Sequence, residues 1–403
     1  MTMTAAATDS VTDALTASLF GDKPTKPPPL ETSALVLAML NAGEGISDLV
    51  FSPGRPPQVE QRGELTSVET PEYAMLSAED TSRVARDIVA NNLHALRALK
   101  EEGACDVSYS VPSGARFRVN VFRQRGSYAI VMRVIPSRVP SLAELNLPAA
   151  LSEVGTLKNG LVLVTGPTGS GKSSTLAAII NLINETRADH IITIEDPIEF
   201  LHRHRMATVH QRELHSDTPT FAMALRGALR QAPKVILVGE MRDRDTIEVA
   251  LTAAETGHLV FSTLHTIDAA KTVDRIIGAF EPSDQHSVRA RLAACFRYII
   301  SQRLLRGTDG NRMAVLEILK STLRTRDYLA SGDTQGKSML DAMRDSELDG
   351  MQHFDGEIEK LVRSGAIPYA TGLLYATNAS NLRVQLADVQ PADNTEEDSL
   401  IIR

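Results

Sequence analysis

Four short apolar runs recur in the middle of this chain: LVLV at 161–164, IITI at 191–194, VILV at 235–238 and LVF at 259–261. Strands buried on both faces read as near-continuous apolar runs, and helical segments separate these four. The pattern predicts a mostly parallel sheet with helices on both faces, an α/β domain. After the first run, Leu176, Ile179, Ile180 and Ile183 recur at helical spacing. Upstream the period changes. Phe117, Val119 and Val121 alternate with Arg116, Arg118 and Asn120, the mark of a half-buried strand, and residues 128–135, which carry Arg133, supply its partner. Before these, the pattern predicts a helix over 31–40 and short strands over 46–69, broken at Pro53-Gly54 and Arg62-Gly63. One further helix is predicted over 78–101, with Val84, Ile88, Leu93 and Leu96 facing a core. This first part reads as a small α+β domain.

At 403 residues the chain exceeds one typical core. Residues 1–32, rich in Thr, Ala and Ser and closing on KPTKPPPL, are expected to form a flexible tail. The α+β domain then spans 33–140, a linker marked by Pro148 spans 141–150, and the α/β domain spans 151–388. Its later part, from 266 to about 387, reads as helices, and 389–403 as an acidic tail. Apolar residues make up 43% and charged residues 23%, with a net charge of -8, so a soluble globular protein with no nucleic-acid partner is expected. Cys105 and Cys295 stand far apart in no metal-binding spacing, as expected of a cytosolic chain. No uncharged apolar run approaches the roughly 18 residues of a membrane span. No Lys or Arg precedes Lys23, which argues against a secretory leader.

The segment following the first apolar run reads G-x-x-x-x-G-K-S from 166 to 173, a phosphate-binding loop set between a strand and a helix, where its chemistry requires it. Gly166, Pro167, Thr168, Gly169, Ser170, Gly171, Lys172, Ser173 and Ser174 are therefore candidates to bind a nucleoside triphosphate. The glycines let backbone amides turn inward around phosphates. Lys172 reaches the β- and γ-phosphates, the Ser173 hydroxyl holds Mg²⁺, and the helix directs its positive end at the same anion.

Carboxylates follow two other runs. Glu195, Asp196 and Glu199 come just after IITI, where ligands gather beyond the ends of parallel strands. Spacing does not choose among them, and Asp196 reads equally well as a helix N-cap. Glu240 follows VILV as a Mg²⁺-side carboxylate, with Gly239 where many such enzymes place Asp. Arg242 and the charges after it read either as functional or as a solvated helix face. His258 and His265 flank the fourth run, and structural and catalytic readings weigh evenly for them. His202, His204, His210 and His215 lack zinc-type partners and are expected on a solvated loop.

Together GPTGSGKSSTLAAI, IITIEDPIEF, ALRGALRQAP, VILVGEMRDRDTIEVALTAAETGHLVFSTLH and AAKTVDRII resemble the twitching-motility ATPases, the PilT/PilU family of secretion ATPases. The resemblance runs from about 33 to 385. It implies a PAS-like N-terminal domain before a RecA-like P-loop core, an ATP- and Mg²⁺-dependent motor, and a homohexamer at the cytoplasmic face of the inner membrane. There the ring would work on a pilus platform protein to retract type IV pili. By matching motif it implies Glu199 as catalytic glutamate, Glu240 as the Walker B acid, and His258 and His265 as the His-box pair. It further implies a nucleotide contact from Arg116, Arg118 or Arg133. The four-cysteine motif of extension ATPases is absent, which favours the retraction branch. By contrast, Thr322-LRTRDYLAS departs from the retraction signature AIRNLIRE. In addition, Gly350-MQHFDGEIEKL and Asn378-ASNLRVQL resemble the accessory PilU-like branch, which would act with a paralogous pilus ATPase.

Overall fold

The computed structural model describes residues 5–21, 31–70, 72–90, 92–136, 138–332 and 338–389. The proline-rich stretch 22–30 and the acidic tail from 390 onward lie outside the described residues. Contacts divide the chain into two compact units. One is Met1–Arg138 with Pro197–Leu201 and His215–Asp217, and the other holds the remainder.

The first unit contains α1 (Ala5–Phe20), α2 (Thr32–Leu40), β1 (Ile46–Phe51), β2 (Gln58–Gln61), β3 (Glu64–Ser67), α3 (Ala78–Val89), α4 (Leu93–Glu101), β4 (Ala104–Ser110), β5 (Arg116–Gln124) and β6 (Ser127–Ile135). Its sheet runs β3-β2-β1-β6-β5-β4 with every neighbouring pair antiparallel. Two-residue turns at Arg62-Gly63 and Arg125-Gly126, both residues of each at positive φ, close two hairpins. The alternation read from β5 holds: Phe117, Val119 and Val121 are fully buried against Leu35, Val84, Leu96, Ile130 and Met132.

Two expectations fail in this unit. The helix read over 78–101 is two helices, because Ala90 adopts φ 40° and the Asn92 side chain accepts from the Ala95 amide, starting a new N-terminus. The expected mobile tail contains α1. Its end packs into the core through Leu15, Leu19 and Phe20, with the Phe20 and Tyr128 rings 5.0 Å apart and the Tyr128 hydroxyl donating to Leu19 O at 2.9 Å. The apolar residues of the segment thus find partners that its composition did not announce.

The second unit carries β7 (Gly160–Thr165), α5 (Lys172–Thr186), β8 (His190–Glu195), β9 (Thr208–Glu213), α6 (Phe221–Ala228), β10 (Val235–Val238), α7 (Arg244–Glu255), β11 (Leu259–Leu264), α8 (Ala269–Ile277) and α9 (Pro282–Cys295). It continues with β12 (Phe296–Arg306), β13 (Arg312–Lys320), α10 (Leu323–Ser331), α11 (Met339–Asp345), α12 (Phe354–Arg363), α13 (Tyr369–Tyr375) and α14 (Ala379–Gln385). Sheet order is β13-β12-β7-β11-β10-β8-β9, parallel except for β13. The four apolar runs are its four central strands. Val162, Val164, Leu237 and Phe261 bury one face against Leu176, Ile179 and Ile183 of α5. Leu161, Leu163, Ile236 and Val260 bury the other against α6 to α9. Each fully buried side chain of this kind contributes about 1.5–3 kcal/mol.

The all-helical reading beyond 266 is overturned by the β12–β13 hairpin. Its apolar stretches are short and irregular, and periodicity cannot separate such a run from a buried helix. The open edge of β7 supplies what periodicity lacks, a partner for β12. The expected linker also differs: Leu142, Leu145 and Leu147 pack into the second unit's core beside a 3₁₀ helix at Ala149–Thr156. No helix among the described residues is long and apolar enough to cross a membrane.

Candidate nucleotide site

The phosphate loop joins the end of β7 to the start of α5. Gly166 has φ 146°, and a Cβ there would lie 2.3 Å from the Gln302 carbonyl oxygen. Gly171, the residue before α5, has φ 88°, and a Cβ there would meet Gln302 Nε2 at 2.8 Å. A side chain would therefore strike β12 at either position. No side chain caps α5, so its first-turn amides, which have no intrahelical acceptors, are available to an anion. The Ser170 hydroxyl is buried without a hydrogen-bond partner. Lys172 is buried, and its Nζ donates to Gly166 O at 2.8 Å and Pro167 O at 3.1 Å, curling over the loop. Left-handed glycines, an uncapped helix start, an orphaned hydroxyl and a buried ammonium together fit a polyphosphate.

The neighbouring strand ends bring charge to the same edge of the sheet. β11 ends at Leu264 and delivers His265, whose Nδ1 lies 3.5 Å from Lys172 Nζ and whose Nε2 lies 3.4 Å from Glu240 Oε1. Glu240, just past β10, also pairs with Arg242 Nη2 at 2.7 Å. That pairing raises the Arg242 pKa, with Asp196 adding a smaller push. The result is a continuous line from Arg242 through Glu240 and His265 to Lys172. At Gly239 a Cβ would sit 3.2 Å from Ile194 O and 3.4 Å from Glu195 Cα, a tight approach of the strand ends. Asp243, beside this line, is the N-cap of α7 and accepts from the Thr246 amide, and Asp268 caps α8.

Of the three carboxylates after β8, Glu195 is held within the sheet by the Thr193 hydroxyl at 2.6 Å and Gln211 Nε2 at 3.0 Å. No helix follows Asp196, so the N-cap reading does not apply. Glu199 is exposed on Pro197–Leu201, a segment of the first unit.

The two histidines lie at opposite ends of β11, as their spacing suggests, and only His265 stands beside the phosphate loop. His258 precedes the strand, whereas His265 follows it, and six extended residues separate the two by about 20 Å. His258 Nδ1 lies 3.0 Å from Ala253 O, a satisfied contact at the C-terminus of α7. The three arginines share one face of the first unit's sheet: Arg116 and Arg118 are two apart on β5, and Arg118 pairs with Arg133 across the strands. Arg133 is tied to Asp48 at 3.0 Å.

The histidines expected on a solvated loop are partly ordered by β9, a polar edge strand that apolar patterning does not reveal. His210 Nδ1 meets His190 Nε2 at 2.9 Å, His204 Nδ1 accepts from the Val209 amide, and burial pushes His202 down to about 4. His215 stacks on His94 in the first unit. Among the described residues no group of three or more His, Cys, Asp or Glu could hold a metal ion. One residue escaped the sequence reading altogether: Gln302, on the overlooked strand β12, which touches the loop at several points.

Residues 102–344 match the type II/IV secretion system protein family. A twitching motility protein of Neisseria gonorrhoeae is 45% identical over 81% of this chain and 86% of its own length. The type IV pilus ATPase PilU of Pseudomonas aeruginosa is 38% identical over 87% of this chain and 90% of its own. Among solved structures, the pilus retraction motor PilT with bound ADP superimposes with a TM-score of 0.76 at 39% identity, covering 88% of this chain and 99% of that one.

Proposed function

The chain belongs to the type II/IV secretion system protein family, on its twitching-motility side, and we propose that it is a hexameric motor ATPase that retracts type IV pili. The observation that carries this reading is the line Arg242–Glu240–His265–Lys172 at the mouth of an uncapped phosphate loop. A γ-phosphate placed there would exchange the carbonyl contacts of Lys172 for phosphate oxygens, and loop amides would compensate the remaining charge. Mg²⁺, when bound, neutralises the charge that builds on the phosphates, and the Ser173 hydroxyl and Glu240 are the groups we assign to hold it or its waters. His265, between Glu240 and Lys172, positions both and senses which is engaged.

Glu199 is assigned by motif as the base that orients the attacking water. We leave His258 out of the site, since the α7 terminus accounts for it. Arg116, Arg118 and Arg133, which share one sheet face, are the candidates for the arginine role. The ring is proposed to dock on a platform protein at the cytoplasmic face of the inner membrane, where rotation of subunits draws pilins from the fibre. A second reading, an accessory ring beside a principal motor, is favoured by the segments at 350–361 and 378–386.

Steady-state ATP hydrolysis, measured with light scattering on the same sample, tests the proposal. Hexamers should turn over ATP, and Lys172→Ala should lower turnover at least a hundredfold, about 2.7 kcal/mol in barrier. Hexamers that bind ATP but stay silent until a paralogous motor is added would move the assignment to the accessory ring. Failure to bind nucleotide at all would end both.

A further inference from the structure

We propose that Gln302 is a positioning residue of the nucleotide site, clamping the phosphate loop into its phosphate-receiving shape. This rests on the loop binding nucleotide, as argued above. Gln302 stands on β12, beside β7 in parallel register, one residue beyond the Ser301–Thr165 pair. It therefore lies level with the exit of β7, where the loop begins. Its Nε2 donates to Ser170 O at 2.7 Å, and its Oε1 accepts from the Thr175 hydroxyl at 2.7 Å. Gln302, Ser170 and Thr175 are all buried, so water does not replace these bonds. Its backbone oxygen also sets the closest approach to Gly166. One residue thus touches the entrance, the crown and the helix end of the loop.

The chemistry at each end fixes the amide's orientation. A carbonyl oxygen only accepts, so the NH₂ must face Ser170, and the oxygen then faces the Thr175 hydroxyl. The consequence lies in the peptide between Ser170 and Gly171. A trans peptide is planar, with its C=O and N–H pointing in opposite directions. Holding Ser170 O against β12 therefore turns the Gly171 N–H away from β12, toward the hollow of the loop. Without the clamp, glycine at 171 removes the steric barrier to flipping that peptide, which would replace a donor with a carbonyl oxygen facing the phosphates.

This contact exists before and during reaction alike, so its loss should weaken ground-state and transition-state binding equally. Gln302→Leu removes both bonds at nearly constant volume. The Michaelis constant for ATP and the dissociation constant for a fluorescent ADP analogue should each rise about tenfold, with kcat at saturating ATP within about threefold of the unaltered protein. A merely structural glutamine would show the opposite split: a lower melting temperature and less active protein, with an unchanged Michaelis constant. That outcome, in hexamers, overturns the clamp alone. If Gln302→Leu does not fold, Thr175→Val decides from the other end. A rise of about threefold or more supports the clamp, and an unchanged constant rejects it. Absence of nucleotide binding by the unaltered protein would instead remove the site reading on which the clamp stands.

Discussion

Gly166 is the residue at which the loop tolerates least. Its φ of 146° is one that L-residues avoid, and the atom a Cβ would strike is a backbone oxygen, which cannot swing aside. Gly166→Ala should therefore lower stability by about 1–3 kcal/mol and weaken nucleotide binding more than tenfold, checked by thermal melts and by titration of a fluorescent nucleotide. Unchanged affinity would mean that β12 yields at that point. The motif itself named Gly166, Lys172 and Ser173, and strand-end logic named Glu240 and His265. Gln302 was invisible, because its partners Ser170 and Thr175 lie more than a hundred residues away and a lone glutamine has no spacing to read.

At the scale of the element, β12 does work that none of the four central runs does. Its two faces serve different neighbours. Gln302 faces the loop and α5, whereas Arg303 stacks over the Phe354 ring of α12 at 3.7 Å and donates to Tyr375 O at the end of α13. The strand thus ties the nucleotide loop to the C-terminal helices through adjacent residues. Beside it on β13, Glu317 is almost wholly buried and accepts from the Ala269 amide at the start of α8 at 2.8 Å. Burial pushes its pKa up from 4.5 to about 7, against the pull of that amide. Between these values the folded protein holds a proton that the unfolded chain has released. The favourable contribution is therefore full below about pH 4.5 and lost as the pH rises through about 7. Glu317→Gln keeps an oxygen for the amide and has nothing to ionise. In denaturant titrations across that range, the unaltered protein should lose about 1–3 kcal/mol relative to the variant. Parallel profiles would show that Glu317 stays in one protonation state throughout.

On the scale of the whole molecule, the hydrophobic clusters of the described residues keep to their units, one within the first and three within the second. A defect in one core that leaves both units folded should leave the phosphate loop's own contacts in place. Phe20 gives a clean test, being buried against Tyr128 in the first unit, far in sequence from the phosphate loop. Phe20→Ala should cost about 3 kcal/mol in the stability of that unit, seen as a lowered calorimetric transition, while nucleotide affinity holds. A loss of affinity of similar size would reveal coupling between the units through the fold.

Local signals carried the reading where chemistry is concentrated in a few adjacent residues. A parallel strand buried on both faces must be apolar throughout, and a phosphate loop must be glycine-rich and lysine-bearing, so 160–174 declared itself. The hairpin at Arg62-Gly63 was marked by its glycine for a similar reason. Three features depended on partners distant in the chain. Strand β12 exists because β7 has an open edge, α1 packs because Tyr128 receives it, and Gln302 matters because β12 passes beside the loop. Each is a relation between surfaces brought together on folding, and no periodicity within one segment encodes it.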